Sequence, residues 1–402
     1  MAFSYTVSRV FRRASTFHFQ KRLESTVASL TKDEMMLLLR PPFSNWSNII
    51  REAEKVVGYP TSFMNLRCLL SDEFANLALY LRKLIGSNKL VMQTAKNVLY
   101  GDCKNLQPWG LVILLLSKSV KTSSTSKAIE QKQRELAELT EMIRTGHLIH
   151  RGIVNVPFAK RSKGTESAIF GNKIAILLGD YLLVTANAML AGLRDADVLY
   201  IVSIALKELS ESEFIGDRDE QNMPLPGKPK IANDDFSLTF DTTSMEANNV
   251  LGKPRKEWTA RTMFSGVSLL GRGCQSAMVI GKQSRENQNY AYHFGCHAGL
   301  AWQAAAELQE FSSDGKKQFC LASAPVLFAL ENNPELYKII DQAKNDVNDV
   351  DYEDLKFNIL KTDALDKTKM LYEDHTKKAI ALIDNIGDNE SVDMIKKLIN
   401  TF

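Results

Sequence analysis

The sequence predicts an all-α protein, and two observations carry that prediction. From Thr61 onward, apolar residues recur every three or four positions in almost every segment, which is the spacing that places them on one face of a helix. We find no convincing segment in which apolar and polar residues alternate, as they do in a half-buried strand. With 402 residues, 45% of them hydrophobic and 24% charged, the chain can bury one large core or two modest ones.

The first clear helix is predicted to begin near Thr61, directly after Pro60, and to end at Gly86. Proline is favoured at the start of a helix and glycine at its end. The same periodicity predicts further helices over residues 89–99, 108–119, 128–151, 169–192, 195–212, 257–281, 286–310, 318–331, 334–347, 365–384 and 389–401.

The N-terminal segment is basic and rich in serine and threonine, and its first acidic residue is Glu24. This composition is typical of a mitochondrial transit peptide. We therefore predict a transit peptide over residues 1–30 and a location in the mitochondrial matrix. The alternative is a basic, disordered N-terminus. The basic residues are Arg9, Arg12, Arg13, Lys21 and Arg22.

One apolar stretch, Ile174–Leu193, is about long enough to cross a bilayer. Asp180 lies within its first two turns, and Lys173 precedes it. A helix that is apolar on every side also suits the interior of a large helical bundle. We therefore predict a buried helix here and no transmembrane segment.

The segment of residues 216–256 breaks the helical pattern, because it contains four prolines and seven acidic residues. Such a composition indicates a surface loop. We predict a disordered loop inserted within one helical domain that spans residues 31–402. A linker between two domains is the alternative.

Charge and cysteine content exclude several classes of protein. The formal charge is +3, and five of the 50 basic residues lie in the first 22 positions, so nothing indicates nucleic-acid binding. The five cysteines form no CxxC pair, which argues against a disulfide framework and a zinc ribbon and favours a reducing compartment.

Three sequence blocks carry a resemblance to a known family. They are GNKIAILLGDYLLVTA (Gly171–Ala186), FGCHAGLAWQAAAELQEF (Phe294–Phe311) and SAPVLFA (Ser323–Ala329). The chain resembles the trans-isoprenyl (polyprenyl) diphosphate synthases in these blocks, from about Thr61 to the C-terminus. The resemblance implies the all-α isoprenoid synthase fold, a polyprenyl synthetase helical bundle around a central cavity.

The resemblance also implies a mechanism. In that family two DDxxD motifs face each other and hold magnesium ions, which neutralise the charge that develops on the diphosphate leaving group. At the first motif this chain has Arg151, Gly152 and Asn155 in place of the aspartates. Arg151 places a positive charge where the family binds a cation.

The second motif is altered as well, because Ala306, Glu307 and Glu310 occupy its aspartate positions. Two carboxylates remain, each longer by one methylene. We therefore predict no catalytic residue and no metal ion or other cofactor bound by this chain, with magnesium held by a catalytic partner.

Other substrate-binding features of the family are weakened too. Trp109 occupies the position of an arginine that binds the second diphosphate, and Ser265 and Gly266 replace a lysine-threonine pair. A basic pair after the first motif is kept as Lys160 and Arg161. These two residues are weak candidates for binding a diphosphate, although an exposed basic pair is usually only solvated.

Some phrases resemble the non-catalytic branch of the family, in which one subunit keeps the scaffold and loses the acids. They are Glu52–Glu73, His150–Asn155 and Phe170–Asp180. This implies a non-catalytic, scaffolding subunit in a hetero-oligomer with a catalytic subunit 1, which makes the ubiquinone side chain by condensing an allylic diphosphate with isopentenyl diphosphate units. The partner interface is predicted on apolar faces of the helices at 61–85 and 108–150.

Two other functions stay open. The chain could retain weak prenyltransferase activity through Glu307, Glu310, Lys160 and Arg161, although the first-motif carboxylates are missing. The other possibility is an isoprenoid-chain binding protein that sets chain length or shelters the product.

Histidine pairs offer another possible metal site. His147 and His150 lie three apart and His293 and His297 four apart, so each pair can share one face of a helix. No glutamate of an HExxH motif accompanies them, and core packing is the favoured interpretation. The acidic run of residues 346–354 lacks the glycine of a calcium loop and is predicted to be a solvated connection.

Overall fold

The computed structural model describes residues 44–58, 108–120, 127–155, 166–230, 247–312 and 318–401. The chain divides into two units, Met1–Asn48 and Ile49–Phe402. Of the first unit, the described part is the start of a helix. The predicted transit peptide of residues 1–30 and the predicted helices over 61–86 and 89–99 lie outside the described residues.

The described part of the chain is all-α, which confirms the predicted fold class. Its β-type contact is an isolated antiparallel bridge between Arg218 and Pro224. The α-helices are α1 (Ser44–Val57), α2 (Trp109–Ser119), α3 (Lys127–Arg151), α4 (Glu166–Gly192), α5 (Ala196–Glu211), α6 (Pro254–Thr262), α7 (Ser268–Ile280), α8 (Arg285–Ser312), α9 (Ala324–Asn332), α10 (Leu336–Gln342), α11 (Tyr352–Ile359), α12 (Ala364–Ile386) and α13 (Glu390–Ile399); shorter helical segments are Ser212–Phe214, Ala247–Val250, Met263–Val267 and Val347–Asp349.

Helix α8 packs along both α12 and α7. Its apolar residues at helical spacing, such as Phe294 and Leu300, are fully buried. The crossing with α7 is close because two glycines meet there, and a Cβ atom on Gly295 would lie 2.8 Å from the Cα atom of Gly271. Each large apolar side chain buried in this way stabilises the fold by about 1.5–3 kcal/mol.

Helix α2 is buried on all sides. Every residue from Trp109 to Leu116 is buried, since α2 contacts α3, α7 and α13. The prediction of a free apolar face on the helices at 108–150 is therefore wrong for α2. The other predicted interface helix, at 61–85, lies outside the described residues.

A buried ion pair fixes α5 against α7. The Arg272 guanidinium donates to Glu208 Oε1 at 2.8 Å, and the Ser268 hydroxyl donates to Glu208 Oε2. Both charged residues are buried, so loss of one partner would leave an uncompensated charge in the core.

Helix α4 is more exposed than the sequence predicts. It is long and apolar enough to cross a membrane, by length and composition, over Gly171–Gly192, with a mean hydropathy of 1.8, and 28% of its most apolar window is buried. The prediction of a buried helix is wrong for the face that carries Ile176, Leu177 and Val184, which are exposed. The sequence does not reveal this, because periodicity cannot be read from a helix that is apolar on nearly every side.

The predicted disordered loop of residues 216–256 contains ordered structure at both ends. Asp219 is buried, and its carboxylate accepts hydrogen bonds from the backbone amides of Gln221, Met223 and Val347 at 2.7–3.0 Å. Helix α6 begins inside this range, at Pro254. The loop prediction took the prolines and acidic residues as signs of solvent exposure. In the structure, Asp219 stabilises a turn and Pro254 starts a helix. Residues 231–246 lie outside the described part.

The acidic run of residues 346–354 is also more structured than predicted. The Asp346 side chain accepts from the amide of Asn348, and the Asp351 side chain accepts from the amide of Asp354 at the start of α11. Both aspartates act as N-caps, a role for which this residue type is strongly preferred.

Candidate functional site

The first degenerate motif lies where α3 ends, at Arg151. The next residues leave the helix and hydrogen-bond to a turn 65 residues further along the chain. The Asn155 amide donates to Gln221 Oε1 at 3.1 Å, its side-chain amide donates to the Glu220 carbonyl at 2.6 Å, and Gln221 Nε2 donates to the Asn155 carbonyl at 3.2 Å. The segment that corresponds to the metal-binding motif of the resembled family therefore hydrogen-bonds to another part of the same chain.

Two arginines share one carboxylate at this motif. Glu213 lies 3.4 Å from Arg151 Nε and 3.2 Å from Arg218 Nη1, and it accepts from Asn222 Nδ2 at 2.9 Å. A divalent cation would meet two guanidinium charges and a carboxylate that is already paired, and like charges repel. Gly152 offers no side chain that can ligate an ion.

The histidines beside this motif also serve the fold. His150 Nε2 lies 3.2 Å from the Ile176 carbonyl oxygen and 3.3 Å from Asp180 Oδ1, which joins α3 to α4. Burial, and after it the charge of Arg151, lower the pKa of His147 to about 4. Within the described ranges, no group of three His, Cys, Asp or Glu side chains is able to hold a metal ion.

The second degenerate motif contributes a buried carboxylate to the core. Glu307 accepts hydrogen bonds from Trp258 Nε1 at 2.9 Å, from Gln303 Nε2 at 2.8 Å and from the Ala324 amide at 2.8 Å. It thereby joins α8 to α6 and to the first residue of α9. Burial raises the pKa of Glu307 to about 7, against the opposing effect of its three donors. The oxygens that would face a magnesium ion are occupied by protein donors.

Charged residues of both motifs influence the pKa of one thiol, that of Cys320. Burial raises the pKa of the Cys320 thiol to about 11; among the nearby charges, those of Glu307 and Glu310 raise it and that of Arg151 lowers it. Arg151 thus lies within electrostatic reach of the same thiol as the second-motif carboxylates. Ala306, at the remaining aspartate position, is half-buried and carries no ligand atom.

The third region is the start of α2, where the resemblance places a diphosphate-binding arginine and this chain has the buried Trp109. Trp109, the first residue of α2, is 5% exposed, and the guanidinium of Arg144 lies 4.9 Å from the centre of its ring. The Glu141 carboxylate accepts from the Gly110 amide at 2.7 Å. Gly266, in the π-helical segment Met263–Val267, has φ of 148° and faces the indole. Aromatic and small residues fill the corner where the family places charged side chains.

The remaining predicted positions have mixed outcomes. Lys160 and Arg161 lie outside the described residues. His297 contacts a histidine that the sequence analysis did not select, because its Nδ1 lies 2.7 Å from Nδ1 of His375, 78 positions away. Glu213, Arg218 and Trp258 were missed too, since no local spacing signals a contact between residues so distant in sequence.

The all-α bundle and its two altered motif segments define the class of protein. The polyprenyl synthetase family model matches residues 88–230. A mouse protein named "All trans-polyprenyl-diphosphate synthase PDSS2" is 33% identical over 89% of this chain and 86% of its own length. The chain therefore belongs to the polyprenyl synthetase family.

Further comparisons agree with this family. A protein of Yarrowia lipolytica named "Probable hexaprenyl pyrophosphate synthase, mitochondrial" is 25% identical over 94% of this chain and 93% of its own length. The crystal structure of heptaprenyl diphosphate synthase from Staphylococcus aureus has a TM-score of 0.55 at 19% identity, and covers 82% of this chain and 96% of its own. A decaprenyl diphosphate synthase from Rhodobacter capsulatus gives 0.53 at 16% identity over 84% and 96%. These structures support the fold.

Proposed function

We propose that this chain is the non-catalytic, scaffolding subunit of a heteromeric all-trans-polyprenyl diphosphate synthase. The observation that carries the proposal is the ion pair of Arg151 with Glu213, at 3.4 Å, in the place of the first metal motif. Together with a catalytic subunit 1, the complex condenses an allylic diphosphate with isopentenyl diphosphate units to make the ubiquinone side chain. Magnesium ions belong to the catalytic partner.

The loss of metal ligands explains why the chain would be inert alone. Ionisation of an allylic diphosphate needs cations that neutralise the leaving group. The described residues offer Arg151 at the first motif and, at the second, Glu310 and a Glu307 carboxylate that three protein donors already occupy. Each 1.4 kcal/mol of lost transition-state stabilisation slows a step about tenfold, so the absence of one metal cluster is enough to silence the reaction.

An exposed apolar face supports the need for a partner. Helix α4 directly follows the first motif and exposes Ile176, Leu177 and Val184, and α5 adds Leu199 and Tyr200. Contiguous apolar patches on soluble proteins commonly mark interaction sites. We infer that this α4–α5 face packs against the catalytic subunit. It replaces α2 as the candidate interface.

The location of the complex is part of the proposal. Residues 1–30 have the composition of a transit peptide, and the Yarrowia relative is named as mitochondrial. We therefore propose that the chain works in the mitochondrial matrix. The test is fractionation of cells that express the full chain and a variant without residues 1–30, where loss of mitochondrial import is the expected result.

The central experiment measures prenyltransferase activity with magnesium, an allylic diphosphate and isopentenyl diphosphate. The chain is assayed alone and after co-expression with a catalytic subunit that retains both aspartate-rich motifs. Activity is expected in the mixture, and its control is a partner whose first aspartate-rich motif has been removed. Robust activity of this chain alone would overturn the proposal. Binding of a polyprenyl diphosphate by this chain alone, without any effect on a partner, would favour the chain-binding alternative.

A further inference from the structure

The short turn after α5 carries the most exposed large apolar side chain among the described residues. Phe214 is 79% exposed, and Met223, nine positions later, is 43% exposed. Burying a phenylalanine side chain contributes about 1.5–3 kcal/mol, and this contribution is not realised in the chain as it stands. A single exposed apolar residue is ordinary, so the question is what holds these two in place.

An arginine orders the backbone beside both side chains. Arg218 donates to the carbonyl of Ser212 at 2.7 Å and to the carbonyl of Asn222 at 2.8 Å. Its Nη1 also lies 3.2 Å from Glu213 Oε2, the same oxygen that accepts from Asn222 Nδ2. The residues directly before Phe214 and Met223 are therefore in contact with each other, and their positions are fixed together.

The rest of the turn is rigid as well. Asn222 adopts a left-handed conformation with φ of 63°, which asparagine tolerates better than most residues. The amide of Asp219 donates to the carbonyl of Met223 at 3.0 Å, while the Asp219 carboxylate accepts from the amide of Met223 at 2.7 Å. We call residues 212–225 the clipped turn. A pre-ordered apolar element loses little conformational entropy on binding.

The degenerate first motif connects the clipped turn to α4. Asn155 binds the turn through Glu220 and Gln221, and its neighbour Val154 exchanges two hydrogen bonds with the side chain of Asn172, in the first third of α4, at 3.0 and 2.6 Å. Arg151 adds the ion pair to Glu213. The apolar residues of the turn are thus held beside the end of α4 from which the exposed face begins.

We propose that the clipped turn is a partner-docking element in which Phe214 and Met223 insert into an apolar hollow of the catalytic subunit. Arg151 and Asn155 are positioning residues for it, so the segment that replaced a metal site serves recognition. The inference rests on the proposed function, because the occupant is the subunit that covers the α4–α5 face, with which the turn is continuous. A second copy of this chain or a lipid surface is the rival occupant.

The test measures binding of the purified full chain to the purified catalytic subunit. Phe214→Ala is expected to weaken the affinity at least tenfold, the loss typical of a buried aromatic anchor. The matched control is Phe357→Ala, because Phe357 is also exposed, at 60%, on α11. The affinity of this variant for the catalytic subunit should stay within about twofold of that of the unaltered chain. Unchanged affinity of the Phe214→Ala variant would overturn the inference.

A second set of variants separates positioning from folding. Arg151→Ala should weaken binding, and Arg151→Lys should restore most of it, since a lysine can still pair with Glu213. The effects of Arg151→Ala and Phe214→Ala should be less than additive, as expected for coupled residues. Full additivity, or no rescue by lysine, would contradict the positioning role.

The remaining outcomes distinguish the two proposals. If the unaltered chain neither binds nor activates the catalytic subunit, the proposed function itself fails. If the unaltered chain binds and activates but Phe214→Ala does so equally well, the docking inference alone fails. Loss of self-association or of binding to anionic phospholipid vesicles by Phe214→Ala, with partner affinity intact, would assign the turn to a rival occupant and overturn the inference.

Discussion

A Cβ atom built on Gly266 would lie 2.9 Å from Cη2 of Trp109. These two residues occupy positions where the resembled family has an arginine and a threonine that serve substrate binding. Each replacement depends on the other, because the indole fills space that only a glycine leaves open. Through this pair, the first residue of α2 packs against the segment Met263–Val267 in the core.

The first prediction is that Gly266→Ala destabilises the chain. The φ of 148° at Gly266 costs a non-glycine residue about 1–3 kcal/mol, and overpacking against the indole adds about 1–3 kcal/mol. We expect a loss of about 2–6 kcal/mol in the free energy of unfolding, measured by urea denaturation.

Its control is Gly192→Ala, because nothing lies within 4 Å of a Cβ atom at that position. That change should alter the free energy of unfolding by less than about 1 kcal/mol. Adding Trp109→Ala to the Gly266→Ala variant should remove the overpacking against the indole. The cost of a non-glycine residue at this φ should remain. If Gly266→Ala and Gly192→Ala behaved alike, the packing argument would be wrong.

The helices are predictable from sequence and the contacts of the site are not. Periodicity predicted α3, α5 and α8 to within a few residues, because an amphipathic helix carries its pattern in adjacent turns. The partner of Glu307 is Trp258, 49 positions away, and Arg151 meets Glu213 across 62 positions. Such contacts depend on how helices pack, and no local spacing encodes them. The exposed face of α4 was missed because a helix that is apolar on nearly every side shows no periodicity.

The second prediction contrasts the two surviving carboxylates. Glu307→Ala leaves Trp258 Nε1 and the Ala324 amide without their acceptor in the core, where each unmade hydrogen bond costs about 1–3 kcal/mol. We expect a loss of about 2–6 kcal/mol in the free energy of unfolding. Glu310→Ala, at a half-buried position, should change it by less than about 1 kcal/mol.

Activity distinguishes this structural role from residual chemistry. Once assembled with a catalytic subunit and normalised to the amount of complex, the Glu310→Ala variant should keep its prenyltransferase rate within about twofold, because a single carboxylate offers too few oxygen ligands for magnesium. A drop of a hundredfold with an intact complex would mean that Glu310 takes part in the reaction.

The third prediction concerns pH and the buried pair of His297 and His375. Burial lowers the pKa of His297 to about 4 and that of His375 to about 3. Because folding lowers these pKa values from 6.5, the unfolded chain binds protons that the folded chain does not. The contribution of the neutral histidine pair to the free energy of unfolding is fully present above pH 6.5 and is lost as the pH falls from 6.5 toward 4. The slope is up to about 1.4 kcal/mol per pH unit for each histidine.

The measurement is urea unfolding between pH 7.5 and 5. A double variant, His297→Leu with His375→Leu, should make the pH dependence shallower and leave the part that His147 contributes, because the slope reports protons taken up on unfolding. His150→Gln, a change at a partly exposed histidine outside the pair, provides the matched control. An unaltered slope in the double variant would assign the pH dependence to other groups.

The fourth prediction is that magnesium does not stabilise this chain. A ligand that binds the folded state raises its stability by mass action, and the described residues offer no cluster able to hold a metal ion. The melting temperature should therefore change by less than about 1 °C between excess EDTA and 5 mM magnesium, a concentration that would be about 5 times a millimolar Kd and would stabilise a true site by about 1 kcal/mol. The catalytic subunit in the presence of a diphosphate analogue is the positive control, since its aspartates should respond to the metal. A clear magnesium-dependent rise for this chain alone, abolished by Glu310→Ala, would show that the second motif still binds the ion and that the pairing of Arg151 with Glu213 has not removed metal binding from this chain.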